Sequence, residues 1–248
     1  MPSRDKDSYS IQSVENALDV LEALCDEEGE VRISHLSEKL KMNKTSVFRL
    51  LATFEGRGYV EKEEISGKYR LGLTAYEIGQ KLLSRMELLK QARPVMERLV
   101  RDCNEAVYMT VRRDDDILFL DMVDTTQKVK IVSLVGKRFP LVSSAAGRVI
   151  LAFSRQSRLG ATQLAGEYDT IRERGYEIDN GKLGDEIVSI ACPLFCAGGS
   201  LNGALCVVGP TFRIDVDTLL PQMLEASSVI SSKLGDHTSY RNGSNFSD

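Results

Sequence analysis

Residues 36–62 read LSEKLKMNKTSVFRLLATFEGRGYVEK, and their apolar positions leave little choice of fold. Leu36 and Leu40 recur one helical turn apart, and Asn43 then breaks the pattern. Val47, Leu50, Leu51 and Phe54 repeat at the spacing of an amphipathic helix. Gly58 is the expected stop of that helix, because glycine accepts the left-handed backbone of a helix end. Upstream, SVENALDVLEALCD places Val14, Ala17, Leu18, Leu21 and Leu24 on helical spacing. Ser13 and Ser34 are the expected caps of the first and second helices. Downstream, YVEKEE and KYRLG are strand candidates joined through Ile65, Ser66 and Gly67, a hairpin signal. Three helices followed by a hairpin make a winged helix-turn-helix over residues 10–72.

Charge gives this region a candidate role. The whole chain carries a net charge of −4, yet Lys39, Lys41, Lys44, Arg49 and Arg57 lie in the quoted run against Glu38, Glu55 and Glu61. On the third helix the face opposite the apolar stripe offers Lys44, Thr45, Ser46 and Arg49 just after Asn43. Hydroxyls and helix N-terminal amides suit phosphate oxygens, and an arginine forks onto guanine O6 and N7 for about 1–3 kcal/mol of discrimination. Lys68 and Arg70 on the wing reach the backbone or the minor groove. The candidate contacts with a double-stranded DNA operator are therefore Asn43, Lys44, Thr45, Ser46, Arg49, Lys68 and Arg70. The competing readings are a solvated helix face and a winged helix that binds protein. Asp26, Glu27, Glu28, Glu30, Glu63 and Glu64 confine the positive charge to one side.

Other counts exclude chemistries. Only His35 and His237 occur, and His237 lies in a polar tail, residues 237–248, expected to be disordered. Histidine-based metal sites and Ser-His or Cys-His nucleophiles thus have no histidine between 36 and 236. The five cysteines form no CxxC pair, which argues for reduced thiols in a cytoplasm. No apolar run approaches the roughly 18 residues of a membrane span, and the polar start MPSRDKDSYS is unlike a signal peptide. No catalytic residue, metal or cofactor is assigned.

Beyond the wing, LTAYEIGQKLLSRMELLKQAR reads as a linker helix over 73–90, continuing to 93, with Pro94 in the first turn of the next helix. The pattern then turns strand-like in YMTVRR, ILFLDMVD and VKIVSLVG. A helical region runs from about 146 to 175 with an interruption near Gly160. EIVSIACPLF and LNGALCVVG follow as strands, and a last helix spans about 216–234. The fold class is α+β: the third part, 91–236, carries helices on an antiparallel sheet. Within it, Ser143 or Ser144 can cap a helix starting near Ala145. Small residues at 145–147 leave its amides open to a carboxylate, or else permit a tight helix–sheet contact. Ser189 and Ala191 share one strand face, as do Ala204, Cys206 and Val208. A hairpin closing at Ala197 and Gly198 sets Ser189 opposite Cys206.

Taken in order, SVENALDVLEAL, ISHLSEKLKMNKTSVFRLLATFEGRGYVEK, KYRLGLTAYEIGQ, FPLVSSAAGRVILAF, RERGYEIDNG, SIACPLF and CVVGPTFRI resemble the IclR family of bacterial transcriptional regulators, over about residues 10–235. The resemblance implies a winged helix-turn-helix, a linker helix, a GAF-like domain that binds a small-molecule effector, and a homo-oligomer, dimer or dimer of dimers. It implies a non-enzymatic regulator, expected to act as a repressor. Matched to the family's pocket, the effector residues are Ala145, Ala146, Asp179, Ser189, Cys206 and Val208. Cys206 and Val208 stand where some members have serines, and Arg148 replaces the usual lysine. Lys182 stands where an acidic residue is common, and Glu186 where a glycine is. The rival to a regulator is an enzyme with Asp179 or Asp121 as its base.

Overall fold

A computed structural model describes residues 10–27, 29–154 and 165–236. The described chain forms two compact units divided between Arg85 and Met86. The interruption expected near Gly160 and the tail expected to be disordered lie outside the described residues.

In the first unit, α1 (Gln12–Cys25), α2 (Ile33–Lys39) and α3 (Lys44–Glu55) precede the hairpin β1 (Val60–Lys62) and β2 (Tyr69–Leu71), and α4 (Leu73–Leu83) follows. Val20, Ala23, Leu24, Val31, Leu36, Val47, Leu51, Val60 and Tyr69 form its core. Val31 pairs with Tyr69 through two backbone hydrogen bonds, of 2.8 and 2.7 Å, and so joins the hairpin to the helices. The expected serine caps are not used. Ser13 and Ser34 lie inside α1 and α2, whose caps Ile11 and Arg32 make no side-chain cap bond. The one side-chain cap of the three helices is Asn43, whose Oδ1 accepts from Ser46 N at 2.7 Å. The residue that breaks the apolar pattern is thus the start of α3. That helix ends at Glu55, and Gly58 takes φ +74° two residues beyond its Gly56 cap.

The expected continuous helix over 73–93 is broken. Ser84 caps α4, Met86 is extended, and α5 runs Glu87–Cys103 with Pro94 in its interior rather than its first turn. The reason is burial. Leu88, Leu89, Ala92, Met96, Leu99 and Val100 make a buried stripe that continues past the proline. That stripe outweighs the roughly 3 kcal/mol an interior proline costs a helix.

The second unit is built on a six-stranded antiparallel sheet. Its strands are β3 (Ala106–Arg113), β4 (Asp116–Val123), β5 (Arg138–Pro140), β6 (Glu177–Asn180), β7 (Ile187–Cys196) and β8 (Ser200–Pro210), in the order β5-β4-β3-β8-β7-β6. α5 and α8 (Val216–Lys233) pack together, α5 against β3 and β4 and α8 against β7. Ser227 Oγ donates to the Pro193 carbonyl at 2.5 Å, and Phe195 N donates to Ser231 Oγ at 3.0 Å, fixing α8 to the sheet. The helices α6 (Ala145–Phe153) and α7 (Ala165–Arg174) belong to a second core cluster that includes Ala191, Ala204, Cys206 and Val208.

Two further expectations change. VKIVSLVG is not a strand: residues 124–137 form an irregular strap, with Leu134 buried in the cluster under α6 and Val129 and Val132 exposed. Ser189 pairs with Val208, not Cys206, which pairs with Ala191. The β7–β8 hairpin closes at Cys196 and Ser200, and a bulge leaves Asn202 unmatched between Phe195–Leu201 and Leu194–Gly203, sliding the register by one.

Gly147 fixes the seat of α6. Ser144 caps the helix, its Oγ accepting from Gly147 N at 3.1 Å, and a Cβ on Gly147 would collide with the Leu141 carbonyl. The need for a small side chain at 147 is therefore a packing need. Gly147→Ala is expected to destabilise the C-terminal unit by about 1–3 kcal/mol, read from thermal or urea unfolding. An unchanged midpoint would show that the turn at Leu141 can yield.

Candidate functional site

Two groups of side chains are candidates, one in each unit. In the first, the buried Val47 and Leu51 turn the opposite face of α3 outward, where Lys44, Thr45 and Arg49 are exposed and Ser46 is partly covered. Lys44, Thr45 and Phe48 share a groove with Arg32, Ile33 and Ser34 and with Ser66 and Gly67 at the hairpin tip. The fold thus brings the start of α3 and the wing tip together. Asn43 has its Oδ1 committed to the cap. Arg70 is held by the protein's own acids: Nη2 lies 3.0 Å from Glu61 Oε2 across the hairpin, and Nη1 lies 3.9 Å from Glu30, between α1 and α2. Lys68 is half-buried, its amide donating to Ser66 Oγ at 3.2 Å.

The basic cluster is also thinner than its sequence. Lys39 Nζ contacts Glu27 at 3.1 Å and Asp26 at 3.4 Å, at the end of α1. His35 bonds the same Glu27 at 2.9 Å, and the hydrogen bonds from His35 and then Lys39 hold its carboxyl below the usual carboxylate range. Sequence reasoning missed Phe48, which is 49% exposed on this polar face. Its signal was there: it falls off the apolar stripe and next to Arg49.

In the second unit, all six sequence-matched residues are buried: Ala145, Ala146, Asp179, Ser189, Cys206 and Val208 are 3% exposed or less. Strand pairing aligns Asp179, Ser189, Val208 and Ala106 in one row, and Ala191, Cys206 and Tyr108 in the next row along the same face. Arg148, on the first turns of α6, ties that helix to β6. Its Nη2 donates to Glu177 Oε1 at 2.8 Å and lies 3.9 Å from Asp179 Oδ1. Arg174 pairs with the other Glu177 oxygen. Burial pushes the Asp179 carboxyl above its ordinary pKa, and Arg148 opposes the rise.

The strap 124–137 closes over this face. Arg213 anchors it, donating to the Val129 carbonyl at 2.9 Å while also bonding the buried Glu105 at 2.8 Å. Thr125 Oγ1 donates to the Asn104 carbonyl at 2.7 Å at the strap's start. Sequence reasoning did not find Tyr108, whose ring meets Phe119 edge-on at 5.3 Å. A buried tyrosine in a strand reads as core, and only the pairing shows that it shares a face with Ser189.

Burial raises the Cys206 thiol on this face above its ordinary pKa, and pushes Cys192, on the opposite face of β7, up to about 12. Asp121 pairs with Met109 on the sheet and is bonded to Arg93 at 2.9 Å, on the α5 side. It therefore does not join Asp179. Among the described residues no group of three or more His, Cys, Asp or Glu side chains could hold a metal ion. No described helix is long and apolar enough to cross a membrane.

Comparison with known proteins agrees with this layout. The IclR helix-turn-helix domain matches residues 13–64, and the bacterial transcriptional regulator IclR C-terminal domain matches 80–165 and 160–232. The HTH-type transcriptional regulator KdgR of Escherichia coli is 30% identical over 254 residues, covering 94% of this chain and 96% of its own. The crystal structure of an IclR transcriptional regulator from Alicyclobacillus acidocaldarius superposes with a TM-score of 0.80 at 23% identity, covering 92% of this chain and 100% of its own. An IclR homologue from Microbacterium hydrocarbonoxydans, complexed with 4-hydroxybenzoate, gives 0.78 at 22% identity over 90% and 98% of the two chains. With both domains matched in order along the chain, the protein belongs to the IclR family of helix-turn-helix transcriptional regulators.

Proposed function

We propose that α3 enters the major groove of an operator, with Thr45, Phe48 and Arg49 toward base edges and Lys44 toward a phosphate. The observation that carries this reading is the outward polar face of α3 beside the wing tip. Arg49 supplies a bidentate guanine contact, and Phe48 supplies an apolar surface for a thymine methyl group. Ser46 and Lys68 contribute backbone contacts at the edges, while Asn43 acts through the cap and Arg70 by shaping the wing. The chain works as a homo-oligomer. Ile11 at the cap of α1, Val14 and Leu18 on α1, and Leu73, Tyr76 and Leu82 on α4 are exposed apolar side chains of the kind a second copy covers.

The C-terminal unit binds a small organic acid at the start of α6, among Ala145, Ala146, Asp179, Ser189, Cys206 and Val208, and the acid shifts operator affinity. The 4-hydroxybenzoate held by the Microbacterium homologue supports an acid as the ligand class. The protein acts as a repressor in the cytoplasm and catalyses no reaction on its ligand. A protein-binding adaptor is the second reading, favoured by the exposed Phe48. Salt distinguishes the two, because phosphate contacts weaken steeply as salt rises and apolar contacts do not.

Selection of binding sites from random DNA tests the reading head. Arg49→Ala is expected to cost about 1–3 kcal/mol and relax preference at one guanine per half-site. Phe48→Ala should relax preference at a neighbouring thymine. Unaltered sequence preferences in both variants would remove α3 as the reader. Asn43→Asp separates cap from contact. Aspartate caps a helix as well as asparagine does, so thermal stability should hold while the added negative charge beside the phosphates weakens binding. Loss of stability with unchanged DNA affinity would contradict the assignment.

A further inference from the structure

Two polar atoms on the face beneath the strap are left unpartnered by the fold. Tyr108 Oη and Ser189 Oγ have no hydrogen-bond partner among the described residues, and their residues are 0% and 1% exposed. The Leu134 backbone lies near the phenol without a hydrogen bond of good geometry. Burying a hydroxyl without a partner is costly, and such atoms are few in native proteins. Two on one face of one sheet call for a common cause.

The register places them at opposite ends of a short row. Tyr108 on β3 pairs with Cys206 on β8, which pairs with Ala191 on β7, and Ser189 lies two residues along β7. Adjacent strands lie about 4.8 Å apart, so the two backbones are roughly 10 Å apart across the sheet. At the Ser189 end, Asp179 is the cross-strand neighbour, and Arg148 of α6 reaches to 3.9 Å from its carboxylate. That end therefore adjoins the first turns of α6. At the other end Tyr108 meets Phe119 and the strap. The surface between is apolar, with Cys206 and Val208 at its floor.

We infer that these hydroxyls bracket the effector: Ser189 and the amides at the start of α6 receive a carboxylate, and Tyr108 reads a hydroxyl or carbonyl oxygen at the far end of an organic acid of about four to six carbons. The inference rests on the acid-binding reading above and adds to it the length and the distal oxygen of the ligand. Tyr108 then selects among acids by the principle that a site built for a polar group rejects analogues lacking it.

The test uses the full chain with hexanoate, 6-hydroxyhexanoate and gluconate, followed by thermal shift and calorimetric titration. The hydroxylated acids are expected to raise the melting temperature and to bind about tenfold more tightly than hexanoate. Tyr108→Phe should erase that difference, and Ser189→Ala should weaken all three acids. Without acid, Tyr108→Phe should melt no lower than the parent, since it removes an unpartnered hydroxyl. Equal affinity for hexanoate and the hydroxylated acids in the parent protein would leave acid binding standing and remove the role of Tyr108. No response to any of the three overturns the acid itself as the ligand class. A lower acid-free melting temperature for Tyr108→Phe means the phenol serves the fold, at the Leu134 backbone, and also overturns the inference.

Discussion

Strands β7 and β8 are buried on both faces along most of their length, and covering them organises the whole C-terminal unit. The two faces are covered with different materials. Val188, Ile190, Cys192 and Leu194 of β7 alternate toward the side where α8 packs, large apolar groups that drive a dry contact. Ser189 and Ala191, on the alternate positions, are small. Smallness there lets α6 lie close to the sheet, with Gly147 meeting the Leu141 carbonyl and Ser144 closing the helix start. At this close helix N-terminus over small strand residues, amides, hydroxyls and a carboxyl lie inside an apolar wall.

Keeping polar groups in such a place is expensive, and the chain limits the cost by pairing. Arg148 is satisfied by Glu177 and the Ile178 carbonyl, and Glu105 by Arg213. Neither pair is evidence of extra stability, because removing two charges from water consumes much of what their attraction returns. Their effect is positional. Arg148 fixes α6 to the edge strand β6, and Arg213 fixes both the entry of β3 and the strap. What surrounds the candidate ligand face is held in register by ions, while the face itself keeps the hydroxyls of Tyr108 and Ser189 beside the Asp179 carboxyl.

The elements of the fold were legible wherever one face of an element is buried and the other wet. Val47, Leu50, Leu51 and Phe54 announced α3, and the Gly67 turn announced the wing. Reading failed where a local preference was outvoted by packing. Pro94 should open a helix, but the stripe from Leu88 to Val100 carries α5 through it. VKIVSLVG has the composition of a strand, yet Arg213 and the buried Leu134 hold that region as a strap. The register of β7 on β8 depended on one unmatched residue, Asn202, which no alternation pattern reveals. The candidate site was legible in part for the same reason. The small residues at 145–146 and the strand positions of Ser189, Cys206 and Val208 could be read along the chain, whereas Tyr108 required knowing which strand lies beside β8.

The internal pairing of Lys39 with Glu27 and Asp26, and of Arg70 with Glu61, bears on how such a protein finds its site. Cations already held by carboxylates release fewer counterions when the protein meets arbitrary DNA. On a chain of net charge −4, they leave loose, sequence-blind association weak. A genome presents wrong sites in enormous excess, so occupancy of the right one depends on the ratio of the two affinities more than on the tighter one alone. Spending basic side chains on the protein's own acids raises that ratio from below: it shortens the time lost at each wrong address.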